Sequence, residues 1–122
     1  MKGLFCTKGK DSIIIRKIID YIDDIFEYKQ SMDFDEFLMD KKTVSACAFS
    51  VSQIGELAKE LTTDIQNATP AIPWKSIKGM RNRIVHDYES IDFTVLWGTI
   101  GTSLPDLKNQ LMRILESQQD KG

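Results

Sequence analysis

The chain is 122 residues long, 42% hydrophobic and 28% charged, with a net charge of −2. That length fits one domain able to bury its own core without staples, and that balance excludes a disordered chain. The acidic total excludes broad, sequence-blind duplex binding, which needs an extended basic surface, but leaves room for a local basic groove.

The two cysteines, Cys6 and Cys47, form no CxxC pair, and a single histidine cannot complete a zinc set with them. The reading is of reduced thiols in the cytoplasm, with no metal and no cofactor. No apolar run approaches a membrane span, and the stretch from Met1 to Thr7 shows no signal-peptide pattern.

In chain order, residues 1–10 are rich in Gly and Lys and are expected to be a flexible segment. Asp11 or Ser12 is expected to cap a helix to about Tyr28. In it Ile14, Ile15, Ile18, Ile22 and Ile25 recur at helical spacing, opposite Arg16, Lys17, Asp20 and Asp23. A turn over Ser31 to Asp33 leads into a short helix to Leu38. A longer helix begins at about Lys41, with Val44, Cys47, Ala48, Val51, Ile54, Ala58 and Leu61 on one stripe. Gly55 inside it costs ~1 kcal/mol against Ala, which implies close approach of another helix, within the chain or across a dimer. Asn67 to Pro73 reads as a loop, and Pro73 suits the first turn of a helix from Trp74 to about His86. Asp92 is placed to cap a helix from Phe93 to Thr102, and Ser103-Leu104-Pro105-Asp106 resembles a fresh helix start. Leu107, Leu111, Ile114 and Leu115 form the last stripe, and residues 118–122 are expected to fray. No segment alternates like a strand. The expectation is an all-α, antiparallel bundle of about four to six helices over residues 11–117.

The segment from Trp74 to Tyr88 carries the chemistry. On a continuous helix at about 100° per residue, Lys75, Lys78, Asn82 and His86 share one face, with Gly79 leaving room beside them. Ile77, Met80 and Ile84 lie opposite. Arg81 falls roughly 140° from His86 on the same projection. Either the helix unwinds near Val85, or Arg81 reaches around, or a second protomer completes the site. A competing reading is structural: a His at a helix C-terminus is favoured by the dipole alone, and basic residues on a helix face are usually solvated surface.

Arg81-Asn82-x-x-x-His86 resembles the HEPN motif, and Arg81-x-x-x-x-His86-x-Tyr88 resembles the fuller motif of HepT-like toxins. Phe37-Leu38-x-Asp40-Lys41-Lys42-Thr43, Ile54-Gly55-Glu56, Ile72-Pro73-Trp74, Gly79-Met80 and Leu104-Pro105-x-Leu107 are similar to that family in the same order. The likeness extends from Asp11 to about Leu115.

The resemblance implies a HEPN-type helical domain that cuts single-stranded RNA without a metal. His86 would then be the base for the ribose 2′-hydroxyl, since an imidazole with a pKa of ~6.5 exchanges protons near neutrality. Arg81 would stabilise charge on the phosphorus centre and Asn82 would orient the imidazole or the phosphate. Lys75, Lys78 and Arg83 would contact the RNA backbone. The resemblance further implies a toxin neutralised by an MNT-type nucleotidyltransferase antitoxin that transfers AMP to Tyr88. The angular conflict suggests a homodimer with a shared groove, in which Gly55 and Gly79 let helices approach. The alternative is a non-catalytic helical dimer that binds nucleotide or the nucleotidyltransferase and cuts nothing.

Overall fold

The computed structural model describes residues 9–87 and 90–121, with side chains described for 9–85 and 90–117. Helices α1 (Gly9–Lys29) and α3 (Lys41–Lys59) form the longest packed pair. Between them lies α2 (Phe34–Met39). After α3 come α4 (Thr63–Ala68), α5 (Trp74–Lys78) and α6 (Met80–Ile84). A short antiparallel pair follows, β1 (Val85–Asp87) with β2 (Ser90–Ile91). Then α7 (Phe93–Gly98) passes through a π-helical turn, Thr99–Ser103, into α8 (Leu104–Lys121). The fold is all-α, as the patterning predicts. The two-residue ladder is the one element that the absence of alternation concealed. No helix among the described residues is long and apolar enough to cross a membrane.

The isoleucine stripe of α1 is buried as expected, with Ile19 added to it, while Ile13 stays exposed. It packs on Val44, Cys47, Val51, Ile54 and Ala58 of α3 and on Leu107, Leu111 and Ile114 of α8. Because β-branched residues hold helix poorly alone, this burial is what keeps α1 helical. Burial also pushes the free Cys47 thiol up to about 11. Cys6 lies outside the described residues.

Local signals set most helix ends. Asp33 closes a capping box with Glu36, Asp40 caps α3 through the Thr43 N–H, and Asp92 caps α7 through the Val95 N–H. Three expectations are corrected. Asp11 does not cap α1, which is already helical at Gly9. It is buried, and its carboxylate accepts the Thr62 N–H at 3.0 Å and the Thr62 hydroxyl at 2.6 Å. It thereby anchors the N-cap of α4, whose six residues are too few to show a stripe and whose end takes in Asn67, expected to begin a loop. Ser103 does not start a new helix. The chain stays helical from Phe93 to Lys121, and the Leu104 N–H reaches back to the Thr99 carbonyl. The wider π turn suits Pro105, whose ring would clash with the carbonyl four residues earlier in a regular α-helix and which has no N–H to donate. Finally, the helix from Trp74 does not reach His86. It breaks at Gly79 and ends at Ile84.

Gly55 is explained within the chain. A Cβ built there would lie 3.4 Å from the carbonyl oxygens of both Ile77 and Lys78, so α5 rests its C-terminal backbone on α3. Gly55→Ala is expected to stay within about 1 kcal/mol of the parent, because the propensity gain offsets a methyl at the contact limit. Gly55→Val drives γ carbons into the same carbonyls and should cost about 1–3 kcal/mol. Urea midpoints check this; equal midpoints for the two variants would show that the approach is not limiting.

Candidate active site at the end of the motif helix

The motif begins on α5. Trp74 and Ile77 are buried, and the Trp74 indole N–H donates to the Thr69 hydroxyl at 2.9 Å. Lys75 is exposed on this helix. Lys78 is half-buried, and its ammonium donates to the Gln66 side-chain oxygen at 2.6 Å, which holds it against α4. At Gly79 the backbone takes φ −94° and ψ 3°, and α6 starts at Met80. A Cβ here would meet only ordinary contacts, the nearest being the Lys75 carbonyl oxygen at 3.6 Å. Arg83 spans the break, donating from Nη1 to the Ser76 carbonyl at 3.0 Å. That bond satisfies a carbonyl at the C-terminal end of α5 and accounts for the arginine structurally. Arg83 also edges a cavity of about 410 Å³ walled by Ile77, Met80, Leu104 and Leu107.

On α6, Met80 and Ile84 face the core while Arg81 and Asn82 are exposed. Arg81 lines a separate open cavity of about 230 Å³ with Ser45, Ala48, Phe49 and Ser52 of α3 and with Val85 and Ile91. This wall from α3 was not read from the sequence. Its one visible signal was Phe49, an aromatic residue placed off the apolar stripe.

The helix ends because Val85 turns extended, at φ −109° and ψ 105°, and pairs with Ile91 across the ladder. The Asp92 N–H donates to the Ile84 carbonyl at 2.7 Å, supplying a partner for a carbonyl that the helix leaves open. His86 therefore sits in β1, not on a helix face. The projection that placed Asn82 on its face and Arg81 roughly 140° away does not apply, and neither does the helix-dipole account of the histidine. Of the three ways out of that conflict, the structure takes the unwinding at Val85. The side chain of His86, and Tyr88 altogether, lie outside the described residues.

Comparisons with known proteins bear on the chain as a whole. A protein of Methanocaldococcus jannaschii named as a candidate RNase is 32% identical over 104 residues, spanning 85% of this chain and 90% of its own length. A second from that organism, named likewise, is 33% identical over 108 residues, 86% of this chain and 89% of its own. The protein named "Probable ribonuclease HepT" of Thermococcus cleftensis is 33% identical over 102 residues, 78% of this chain and 93% of its own. No solved structure matches with comparable significance. The family described as ribonuclease HepT-like matches residues 18–114, a stretch that holds α3, the broken motif helix and both strands, and the chain belongs to that family.

Proposed function

We propose that this protein is the toxin of a toxin–antitoxin pair and cuts single-stranded RNA without a metal. The observation that carries this reading is the exposed Arg81 on an open cavity, five residues before the histidine, where α6 hands over to an extended strand. An unwound backbone between the two residues removes the requirement that they point apart. In the proposed reaction His86 takes the ribose 2′-hydroxyl proton as the 2′-oxygen attacks phosphorus. The bond to the 5′-oxygen breaks, and that oxygen takes a proton from water or from the imidazolium. The products are a 2′,3′-cyclic phosphate and a 5′-hydroxyl. Arg81, with its planar fork, binds the phosphate oxygens and holds the added charge in the transition state. Asn82, exposed beside it, orients the phosphate or the imidazole. Lys75, Lys78 and Arg83 contact neighbouring phosphates. Unpaired RNA is the suitable substrate because duplex RNA hides its base edges in a deep, narrow groove.

The regulatory part of the proposal concerns Tyr88, two residues after the histidine. A nucleotidyltransferase partner would transfer AMP from ATP to the phenol oxygen, releasing pyrophosphate. The new phosphodiester would bring negative charge close to Arg81 and obstruct the RNA phosphate.

A homodimer belongs to the proposal, on changed grounds. The angular conflict no longer motivates it, and Gly55 serves α5 of the same chain. What supports it is charge. One chain with a net charge of −2 offers few cations around the motif, and two copies would double them in one cleft. Sedimentation at micromolar concentration is expected to give twice the chain mass of 13.9 kDa. A monomer would remove the shared groove from the proposal.

One observation favours the second reading, a dimer that binds nucleotide or the nucleotidyltransferase without cutting. Two of the motif cations, Lys78 and Arg83, already have hydrogen-bond partners inside the chain. Activity separates the readings. Purified protein should cleave single-stranded RNA in EDTA, and His86→Ala should abolish cleavage, a loss on the order of 10²–10⁴-fold or more for a general base. Arg81→Ala should lower it strongly as well. Cleavage that needs a divalent metal, or that survives the His86 change, defeats the mechanism. RNA bound but never cut supports the second reading.

For regulation, incubation with the nucleotidyltransferase and ATP should add AMP at Tyr88, and Tyr88→Phe should stay toxic in cells carrying the partner. A mass spectrum that places the adduct on Tyr21 or Tyr28 would assign the switch to another surface.

A further inference from the structure

Phe49 is the most exposed aromatic side chain among the described residues, with 58% of its surface open. It does not belong to the core stripe of α3. It lies on the face of that helix that also carries Ser45, Ser52 and Gln53, at offsets that bring side chains together. Ser45, Ser52 and Phe49 all line the cavity that Arg81 lines. The ring is held, not loose. Tyr21 of α1 packs against it edge to face, with centroids 6.4 Å apart and planes at 73°. An exposed phenyl ring gains nothing from water, and here it lines the same cavity as the arginine of the motif.

We propose that Phe49 is a platform on which one unpaired RNA base stacks next to the phosphate held by Arg81. This inference rests on the ribonuclease reading and adds to it the part of the substrate that the α3 wall grips. Single-stranded nucleic acids are bound by pairing a cation for the backbone with an aromatic face for the base, and every base has a π-face to offer. Arg81 and Phe49 supply that pair on one cavity wall. Ser52 adds an acceptor, because its hydroxyl proton is committed to the Ala48 carbonyl at 3.0 Å. The occupant is RNA in preference to a second copy of the chain. The cavity is small, about 230 Å³, and mixes Phe49, Ala48, Val85 and Ile91 with Ser45, Ser52 and Arg81, whereas a stable interface needs about 800 Å² per partner around an apolar centre.

The test uses the full chain carrying His86→Ala, so that RNA is not consumed. A short single-stranded oligoribonucleotide containing 2-aminopurine is the probe, read by fluorescence quenching on stacking and by affinity. Phe49→Ala should weaken binding by about 5- to 150-fold and abolish the quench. Phe49→Trp should keep both. Phe49→Leu should behave like Ala, because stacking needs a ring and not merely apolar area. Binding that is undetectable in the parent, unchanged in Phe49→Ala, or retained in Phe49→Leu overturns the proposal. So does a Phe49→Ala chain that sediments differently from its parent, since the ring would then lie between copies. Should Phe49→Ala fail to fold, the contrast between Trp and Leu still decides. The two readings fail separately. If the wild-type chain cuts no RNA but the quench depends on Phe49, the platform stands and catalysis falls. If the chain cuts and the quench ignores Phe49, catalysis stands and the platform falls.

Discussion

The contact on which the site depends is the backbone of α5 resting on Gly55 of α3. With no Cβ at that position, the Ile77 and Lys78 carbonyls approach the helix closely, and the buried side chains of Trp74 and Ile77 settle into the core beside it. That approach fixes where the chain stands when it reaches Gly79. From there α6 can lie along α3 so that Arg81 shares a cavity with Ser45, Phe49 and Ser52. A larger residue at position 55 would push α5 outward and would widen or dissolve that cavity. The glycine therefore acts on the cavity through helix spacing, without lining it.

The second constraint is the early end of α6. A helix continued to His86 would hold the histidine and Arg81 on different faces. Extending the backbone at Val85 releases the histidine from the helical periodicity. The cost is an interrupted hydrogen-bond ladder, and the chain meets it locally. The Asp92 N–H takes the Ile84 carbonyl, and Val85 pairs with Ile91. Since Asp92 also caps α7 through its side chain, one residue secures both the end of the motif helix and the start of the next. Only the cap belongs to the side chain; the N–H to Ile84 survives any substitution but proline.

Charge is unevenly placed in this acidic chain, and among the described residues Arg81 is the one cation that lines the cavity with Phe49. The acidic residues of α1 and α2 lie on other elements, while Lys75, Lys78, Arg81 and Arg83 are concentrated on two short helices. A local cluster can exceed the effect of the total at the distances over which salt leaves fields unscreened, roughly 8–10 Å. Lys78 and Arg83 serve as internal ties. They tie the motif to α4 and to the end of α5.

How much of this was legible in the sequence follows from what each signal depends on. The isoleucine stripe of α1, the stripe of α3, the cap at Asp92 and the Arg–His spacing are local patterns, and each can be read from residues within a few turns of one another. They sufficed for the all-α class, most helix boundaries and the family. Asp11 resembled a cap because carboxylates near helix starts usually are; its partner, Thr62, lies 51 positions away, and no local rule pairs the two. The end of α6 is set by Ile91 and Asp92, which reach Val85 and Ile84 only after the chain has turned back. A projection at about 100° per residue has no means of registering that return. Phe49 and Ser52 likewise join Arg81 only because α6 is laid on α3. Residue type and short-range spacing determined the elements and the motif. Tertiary packing decided where the motif helix stops and which surface of α3 faces it, because those depend on contacts between residues that the chain keeps far apart.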